Sequence, residues 1–132
     1  APGWRQGGVV LMLWSQLGAF MQRNGVERVI GCASVPIRDG GRLAADLWHT
    51  LRCTHLAALD EQVTPRLALP VEDLATGAVV EPPPLIKGYL RCGGKVLGPP
   101  AWDPDFGTAD LPMMLRLRDL PESYRRRFLP VN

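Results

Sequence analysis

The chain has 132 residues, of which 46% are hydrophobic and 21% are charged, and its net charge is +2. This length and composition predict one globular domain with a modest core, and so small a net charge argues against nucleic acid as a partner. The longest uninterrupted apolar run, Val9 to Trp14, is far shorter than the roughly 20 residues that a membrane-spanning helix needs.

The first residues predict a turn that binds phosphate and leads into a helix. Gly7 and Gly8 have no Cβ, so the backbone can approach an anion closely. Apolar residues at three- and four-residue spacing predict a helix from about Gly8 to Arg23, ended by Asn24-Gly25. The free amides and the dipole of its first turn favour an anion, and Arg5 adds a contact to phosphate. The alternative is an ordinary glycine-rich helix start, and two glycines alone do not exclude it.

A strand and a second helix follow in the next thirty or so residues. Val26 to Val35 contains the unbroken apolar stretch Val29 to Ala33, which predicts a central strand with a buried, inert Cys32. Pro36 to Gly41 is a turn-rich loop. The second helix, Arg42 to His55, carries a core-facing stripe made of Leu43, Leu47, Trp48 and Leu51.

The second half of the chain is less periodic. Ala57 to Pro84 has no clear period and contains five prolines, and Pro84 is well placed to begin a helix that Gly93-Gly94 ends. An aromatic and acidic loop, Trp102 to Gly107, separates two strands, and Pro112 predicts an edge position or a bulge for the second of them. The elements predicted here are a helix, two strands and a terminal helix, over Leu85–Cys92, Lys95–Leu97, Ala109–Leu117 and Pro121–Leu129.

No metal site is predicted. The three cysteines, Cys32, Cys53 and Cys92, are widely spaced, which indicates reduced thiols in a cytoplasmic protein rather than a disulfide framework or a zinc ribbon. His49 and Cys53 share one helix face, but a third and a fourth ligand are not evident.

Several segments resemble one known family. Arg5-x-x-Gly8-x-Val10 resembles the Arg/Gln-x-x-Gly-x-Gly/Ala signature of the GNAT acyltransferase superfamily, whose loop holds the phosphates of an acyl donor, although Val10 departs from the small final residue. Four further stretches, in order, are similar to the ornithine-lipid N-acyltransferases, often labelled hemolysin-like. They are Leu11–Trp14, Gly31–Val35, Leu85–Leu90 and Pro100–Gly107. The similarity covers nearly all of the chain and corresponds to the C-terminal part of such an enzyme.

The resemblance implies an α/β fold, a GNAT-like mixed-sheet sandwich of which residues 1–132 form a single domain without its N-terminal strands. The strand predicted as central would then have an unpaired edge, so self-association is expected. No permanently bound cofactor is implied, because the reactive group arrives on the phosphopantetheine of the donor.

By the same resemblance, the activity is N-acyl transfer. A long 3-hydroxylated acyl chain would move from acyl-carrier protein, or acyl-CoA, to the α-amine of ornithine, as a step of ornithine-lipid biosynthesis. Two alternatives stay open: a non-catalytic truncated fragment that binds at most a carrier protein or partner chain, and a relative of acyl-homoserine-lactone synthases.

Three consecutive arginines, Arg125 to Arg127, follow near the end of the chain. Such a run usually covers a solvent-exposed helix face. The alternative is that these arginines contact an acidic carrier protein or the anionic inner face of a bacterial membrane.

The resemblance also implies roles for individual residues. Tyr89 matches the Tyr of a Tyr-x-x-x-Gly pattern and would be the general acid for the leaving thiolate, the alternative being a core tyrosine with a surface-facing hydroxyl. Independently of the resemblance, Asp103, Asp105 and Asp110 form an acidic cluster that would bind the cationic amino acid or accept its proton, although the spacing of the first two equally suits a turn capped by its own carboxylates. The residues expected to bind the acyl donor are Arg5, Gln6, Gly7, Gly8, Val9, Val10, Ala33, Ser34 and Val35.

Overall fold

The computed structural model describes residues 16–123 and 126. The predicted phosphate loop, Arg5 to Val10, the start of the first helix and most of the terminal helix lie outside these residues. Residues 16–23 are helical and form α1. The further elements, in chain order, are β1 (Arg28–Pro36), α2 (Arg42–Arg52), a 3₁₀ turn (Leu59–Glu61), α3 (Val71–Leu74), α4 (Pro84–Arg91), β2 (Lys95–Val96), β3 (Ala101–Asp103), β4 (Thr108–Arg116) and a second 3₁₀ turn (Leu117–Asp119). The predicted α/β class is therefore confirmed.

The chain divides into two compact units. The first unit comprises the described residues of the segments Ala1–Val29, Pro82–Gly94 and Leu115–Asn132, and the second unit comprises Ile30–Glu81 and Lys95–Met114. The second unit therefore holds α2 and α3 and most of the sheet, whereas the first unit holds α1, α4 and the ends of β1 and β4.

The described part of the chain forms a four-stranded sheet in which β4 pairs with each of the other three strands. Its order is β1-β4-β2, and β3 also pairs with β4. Hydrogen bonds from Ile37 N to Gly107 O (3.1 Å) and from Leu117 N to Glu27 O (2.9 Å) flank the two ends of the β1–β4 pair, so these strands run antiparallel. Among the strands that the structure describes, β1 is the end strand, and residues 28–32 are largely exposed. The prediction of a central strand here is wrong, because β4 occupies the centre and its long ladder leaves β1 outside.

Of the two positions predicted for Pro112, the edge is wrong, because Pro112 lies in this central strand, and the bulge is the one that the strand pairing supports. β2 pairs with β4 through Val96 opposite Met113, and β3 pairs through Ala101 opposite Asp110. Residues 97–100 consequently stand opposite only residues 111–112, which interrupts the ladder as a bulge does. Pro112 sits in this interruption, where it needs no amide hydrogen, and its carbonyl oxygen accepts a hydrogen bond from Leu97 N (2.8 Å).

The core of the second unit is made of buried apolar residues from α2, from the sheet and from the residue that follows β2. Leu47, Trp48 and Leu51 are buried as predicted, whereas Leu43 of the predicted stripe is 36% exposed. α2 ends at Arg52 rather than His55, and the carbonyl oxygen of His55 accepts instead from Val96 N (2.8 Å), beside the bridge between Leu56 and Val96. The sheet and the residue that follows β2 contribute Val35, Val96, Leu97, Ala109, Leu111 and Met113, all of them almost fully buried.

A buried carboxylate joins α2 to the loop after α3. Asp46 is only 4% exposed, and its oxygens accept hydrogen bonds from Thr76 N (2.7 Å), Thr76 Oγ1 (2.6 Å) and Gly77 N (3.2 Å). One turn along α2, Thr50 Oγ1 accepts from Val80 N (3.4 Å). The hydrogen bonds from the Thr76 side chain, followed by those from the Thr76 and Gly77 amides, lower the pKa of Asp46 despite an opposing effect of desolvation. The irregular segment after α3 is therefore positioned by polar contacts to α2.

We expect Asp46→Asn to lower the melting temperature by several degrees, because an amide cannot accept hydrogen bonds at both of its positions. The lowered pKa also predicts a pH dependence: the contribution of Asp46 is present above about pH 4 and is lost as the pH falls through its folded-state pKa. Thermal melts from pH 7 to pH 2 measure both effects. Asp60→Asn, at an exposed position in the first 3₁₀ turn, is the control, and equal melting curves for both variants would contradict the prediction.

The end of α4 depends on a glycine packed against a tyrosine. α4 begins at Pro84, as predicted, and Gly94 N donates to Tyr89 O (2.9 Å) where the helix ends. A Cβ on Gly94 would overlap Cδ1 of the Tyr89 ring and would lie 2.7 Å from the backbone carbonyl oxygen of Tyr89. Gly94 therefore sets how the Tyr89 ring is seated.

Gly94→Ala should lower the free energy of unfolding by about 1–3 kcal/mol, the usual cost of overpacking a core. Gly31→Ala is the matched control, because nothing lies within 4 Å of the position of its Cβ and its φ is not positive. Urea denaturation of both variants checks the difference. Equal midpoints would show that Tyr89 moves aside without cost.

Candidate functional site

The most polar arrangement in the sheet joins β1 to β4. Ser34 Oγ donates a hydrogen bond to Asp110 Oδ1 (2.9 Å), and Thr108 Oγ1 donates to the same oxygen (3.0 Å). Antiparallel pairing places Ser34 opposite Asp110, while Thr108 lies two residues before Asp110 on the same side of β4. Two hydroxyl groups thus orient one carboxylate at the surface of the sheet.

Asp103 shares this sheet face. β3 pairs with β4 so that Asp103 lies opposite Thr108, and cross-strand partners point to the same side. Asp103 Oδ1 also accepts a hydrogen bond from Phe106 N (3.3 Å), which is the turn-capping geometry that the spacing allowed. Asp105 is exposed in the turn between the two strands. The structure therefore brings Asp103, Asp110 and Ser34 to one face, which we call the acidic face, and leaves Asp105 at its end.

Ala33, Ser34 and Val35, which are expected to bind the acyl donor, lie on two different sides of β1. Ser34 is exposed on the acidic face, whereas Ala33 and Val35 are 7% and 1% exposed and pack into the core with Ala109 and Leu111. This division follows from the two-residue period of a strand. Of these three side chains, Ser34 alone is presented on the acidic face. Thr108 provides the second hydroxyl group that donates to Asp110, and the sequence analysis did not single it out. Its position two residues before Asp110, on the same side of a strand, is the sequence feature that could have identified it.

Cys32 is exposed, so the prediction of a buried thiol is wrong. The reason is the position of β1 at the end of the described sheet, where the apolar sequence is not covered on both faces. Partial desolvation, followed by the negative charge of Asp110, raises the pKa of the Cys32 thiol. The raised pKa favours the protonated thiol at neutral pH, and the inertness of Cys32 stays a prediction.

Tyr89 and Cys92 form a buried pair of acids at the end of α4, in the first unit. Tyr89 is 9% exposed and Cys92 is 1% exposed. Burial, and then the neighbouring Cys92, raises the pKa of Tyr89 to about 12, and burial raises the pKa of Cys92 to about 11. The phenol is therefore fully protonated at neutral pH, which is the state that a general acid needs.

These raised pKa values predict a loss of stability in alkali. Both groups hold their protons more tightly in the folded than in the unfolded chain, so their contribution is complete below about pH 9 and is lost as the pH rises towards about 12. Cys92→Ala and Tyr89→Phe should each flatten the fall in the free energy of unfolding between these pH values, measured by urea denaturation. Cys53→Ala removes an exposed thiol and is the control. An unchanged slope in Cys92→Ala would contradict the prediction.

The other candidates from the sequence make local contacts. Cys53 Sγ donates to His49 O (3.2 Å), and His49 Nε2 lies 3.9 Å from a carboxylate oxygen of Glu72.

Within residues 16–123 and 126, no group of three or more His, Cys, Asp or Glu side chains is placed to hold a metal ion. No helix in the same residues is both long and apolar enough to cross a membrane. Arg126, from the arginine run, pairs with Glu122 (3.5 Å) one turn earlier, and its neighbours Arg125 and Arg127 lie outside the described residues.

The chain is similar over almost its whole length to enzymes that transfer acyl groups. It is 30% identical to an L-ornithine N(alpha)-acyltransferase of Brucella abortus in an alignment of 131 positions that covers 93% of this chain and 46% of that protein. With the proteins of the same name from Rhodobacter capsulatus and Agrobacterium fabrum it shares 32% and 29% identity, over 94% and 93% of this chain and 50% and 44% of those proteins. No family model and no solved structure matches the chain significantly.

The predicted resemblance to the ornithine-lipid N-acyltransferases is thereby confirmed. The chain is homologous to the C-terminal part of enzymes named L-ornithine N(alpha)-acyltransferase. It spans about half the length of the curated relatives it matches.

Proposed function

We propose that the protein carrying this chain is a GNAT-like N-acyltransferase of ornithine-lipid biosynthesis. It transfers a long 3-hydroxylated acyl chain from acyl-carrier protein to the α-amine of ornithine. The observation that carries the proposal is the similarity of 93% of this chain to proteins named L-ornithine N(alpha)-acyltransferase. The order helix, strand, helices and strands supports the GNAT-like fold, and Arg5 to Val10 would hold the phosphopantetheine phosphate of the donor.

The reaction requires three events. The ammonium group of the acceptor gives a proton to water or to a carboxylate of the acidic face, and the amine nitrogen attacks the thioester carbonyl. The resulting oxyanion is stabilised, and as the carbon–sulfur bond breaks the thiolate takes a proton and the nitrogen releases its second one. The acidic face supplies negative charge on a rigid sheet, where Asp103 and Asp110 attract a cationic amino acid. Ser34 and Thr108 donate to one oxygen of Asp110, which orients its other oxygen.

Tyr89 supplies the proton for the leaving thiolate in this proposal. Its raised pKa keeps the phenol protonated throughout the physiological range. Gly94 and Cys92 hold the ring through close packing and burial. Tyr89 is thus protonated before the thiolate forms, although a pKa of about 12 makes the phenol a weak acid towards a thiolate.

The alternative function is a non-catalytic module that binds a carrier protein or a partner chain. A relative of acyl-homoserine-lactone synthases would use the same donor, but the matched relatives are named for ornithine and give it no support. Contact of the arginine run with carrier protein or a membrane surface belongs to the same set of proposals.

The test is acyl transfer by the longest protein that carries this chain, with 3-hydroxyacyl-carrier protein and ornithine and with the product detected by mass spectrometry. We expect Tyr89→Phe to lower kcat by about 10²–10⁴-fold, the usual contribution of a general acid. Asp103→Asn keeps the turn hydrogen bond but removes the charge, so it should raise KM for ornithine more than it lowers kcat.

The controls separate the proposal from the non-catalytic alternative. Asp60→Asn, at an exposed position away from the sheet, should leave both constants unchanged. Carrier protein that binds without any acylated ornithine appearing would favour the binding module. Full activity in Tyr89→Phe would remove this residue from the mechanism while leaving the acyl transfer itself intact.

A further inference from the structure

One end of the sheet in the second unit carries exposed apolar side chains. Phe106, in the turn between β3 and β4, is 82% exposed, and Leu67 and Trp102 are 50% and 39% exposed. Exposed apolar side chains that adjoin one another mark an interaction surface, whereas isolated ones are common on any protein.

Backbone pairing places Leu67 beside Trp102. Ala68 and Ala101 form an antiparallel bridge, and Trp102 N donates a hydrogen bond to Leu67 O (2.8 Å). Leu67 therefore lies opposite Trp102, and cross-strand partners point to the same side of a sheet. The chain then continues through the end of β3 into the turn that carries Phe106, and we call Leu67, Trp102 and Phe106 the apolar tip.

The turn of the apolar tip is fixed on both sides. Asp103 Oδ1 accepts a hydrogen bond from Phe106 N (3.3 Å), which closes the turn onto β3. Gly107 O accepts a hydrogen bond from Ile37 N (3.1 Å), which joins the turn to the residue after β1. Phe106 is therefore exposed from an ordered turn, at a position where polar residues are usual.

The charged groups around the apolar tip differ in reach. Arg38, just after β1, and Arg66, just before Leu67, are exposed. Of the carboxylates at the same end, Asp39 accepts hydrogen bonds from two amides at the start of α2 (3.0 and 2.9 Å), and that of Asp103 caps the turn. The long arginine side chains can extend away from the sheet, while these two carboxylates are held at the backbone.

A protruding turn that combines aromatic rings with flanking arginines fits the surface of a lipid bilayer. Phe, Trp and Leu side chains enter the boundary between head groups and acyl chains, and arginines pair with lipid phosphates. A protein partner would need a pocket shaped for this turn, whereas a fluid bilayer closes around any side chain that protrudes.

We propose that the apolar tip docks this chain on an anionic lipid bilayer. Phe106 inserts among the acyl chains, Trp102 lies at the level of the head groups, and Arg38 and Arg66 pair with lipid phosphates. Since this docking needs neither acyl donor nor acceptor, it goes beyond the proposed function. It also uses residues of the second unit alone, and not the arginine run near the end of the chain.

The test is binding of the complete 132-residue chain to phosphatidylcholine vesicles, measured by sedimentation with and without phosphatidylglycerol as about one-third of the lipid. We expect Phe106→Ala to lower the partition coefficient about 10–100-fold, because a phenyl ring no longer leaves water. Val79→Ala is the matched control: Val79 is 88% exposed, but it lies in the segment that contacts the C-terminal half of α2.

The charge contribution is tested separately. Arg38→Gln combined with Arg66→Gln should weaken binding to the anionic vesicles at least about tenfold and leave binding to pure phosphatidylcholine unchanged. Replacing Arg125, Arg126 and Arg127 with Gln should leave the effect of Phe106→Ala in place, which separates the apolar tip from the arginine run. Phe106→Ala should melt at the same temperature as the parent chain, because the ring is exposed, so lost binding is not lost folding.

Three outcomes would overturn the proposal. One is failure of the parent chain to bind either kind of vesicle, and another is equal partition of Phe106→Ala and the parent chain. The third is a change in the amide NMR signal of Phe106 on addition of acyl-carrier protein but not of vesicles, which would assign the apolar tip to a protein partner. Acyl transfer is not measured in any of these experiments, so failure of the proposed function would leave their result intact.

Discussion

The pairing of β4 with every other strand is the constraint on which the remaining structure depends. One edge of β4 carries the ladder to β1, and the other carries β2 and β3 in two registers separated by the interruption at Pro112. A strand with both edges occupied must be central, so β1 is left at the end of the described sheet. The positions of the core, of the acidic face and of the exposed Cys32 all follow from this pairing.

The same ladder explains why polar and apolar groups of β1 and β4 separate cleanly. Successive side chains of a strand point to opposite sides, so Val35 and Leu111 enter the core while Ser34 and Asp110 stay at the surface. The two-residue offset between β2 and β3 then places Asp103 beside Thr108 on that surface. The acidic face is therefore a product of register, since residues from three strands meet there although they are far apart in the chain.

Helices and turns were predictable because their signals are local. The ends of α1 and α4 lie where Asn24-Gly25 and Gly93-Gly94 indicate, and Pro84 begins α4 as expected. The predicted strand Lys95–Leu97 and the strand from Ala109 are present as β2 and β4, whereas β3 was missed inside what looked like a loop. β3 is only three residues long and forms through its partner strand, so its own sequence carries little signal.

Burial and pairing were not predictable in the same way. Asp46 stands among the apolar residues of α2, and only the loop that reaches it from Thr76 explains a carboxylate at a buried position. Cys32 has an apolar neighbourhood in the sequence, yet the strand order leaves it exposed.

The sequence by itself determined where α1 and α4 end, where α2 begins and the resemblance to ornithine-lipid N-acyltransferases, because these depend on neighbouring residues and on motifs. The tertiary structure alone decided which strand is central, which carboxylates share a face and which polar atoms are buried, because these depend on contacts between residues that are distant in the chain.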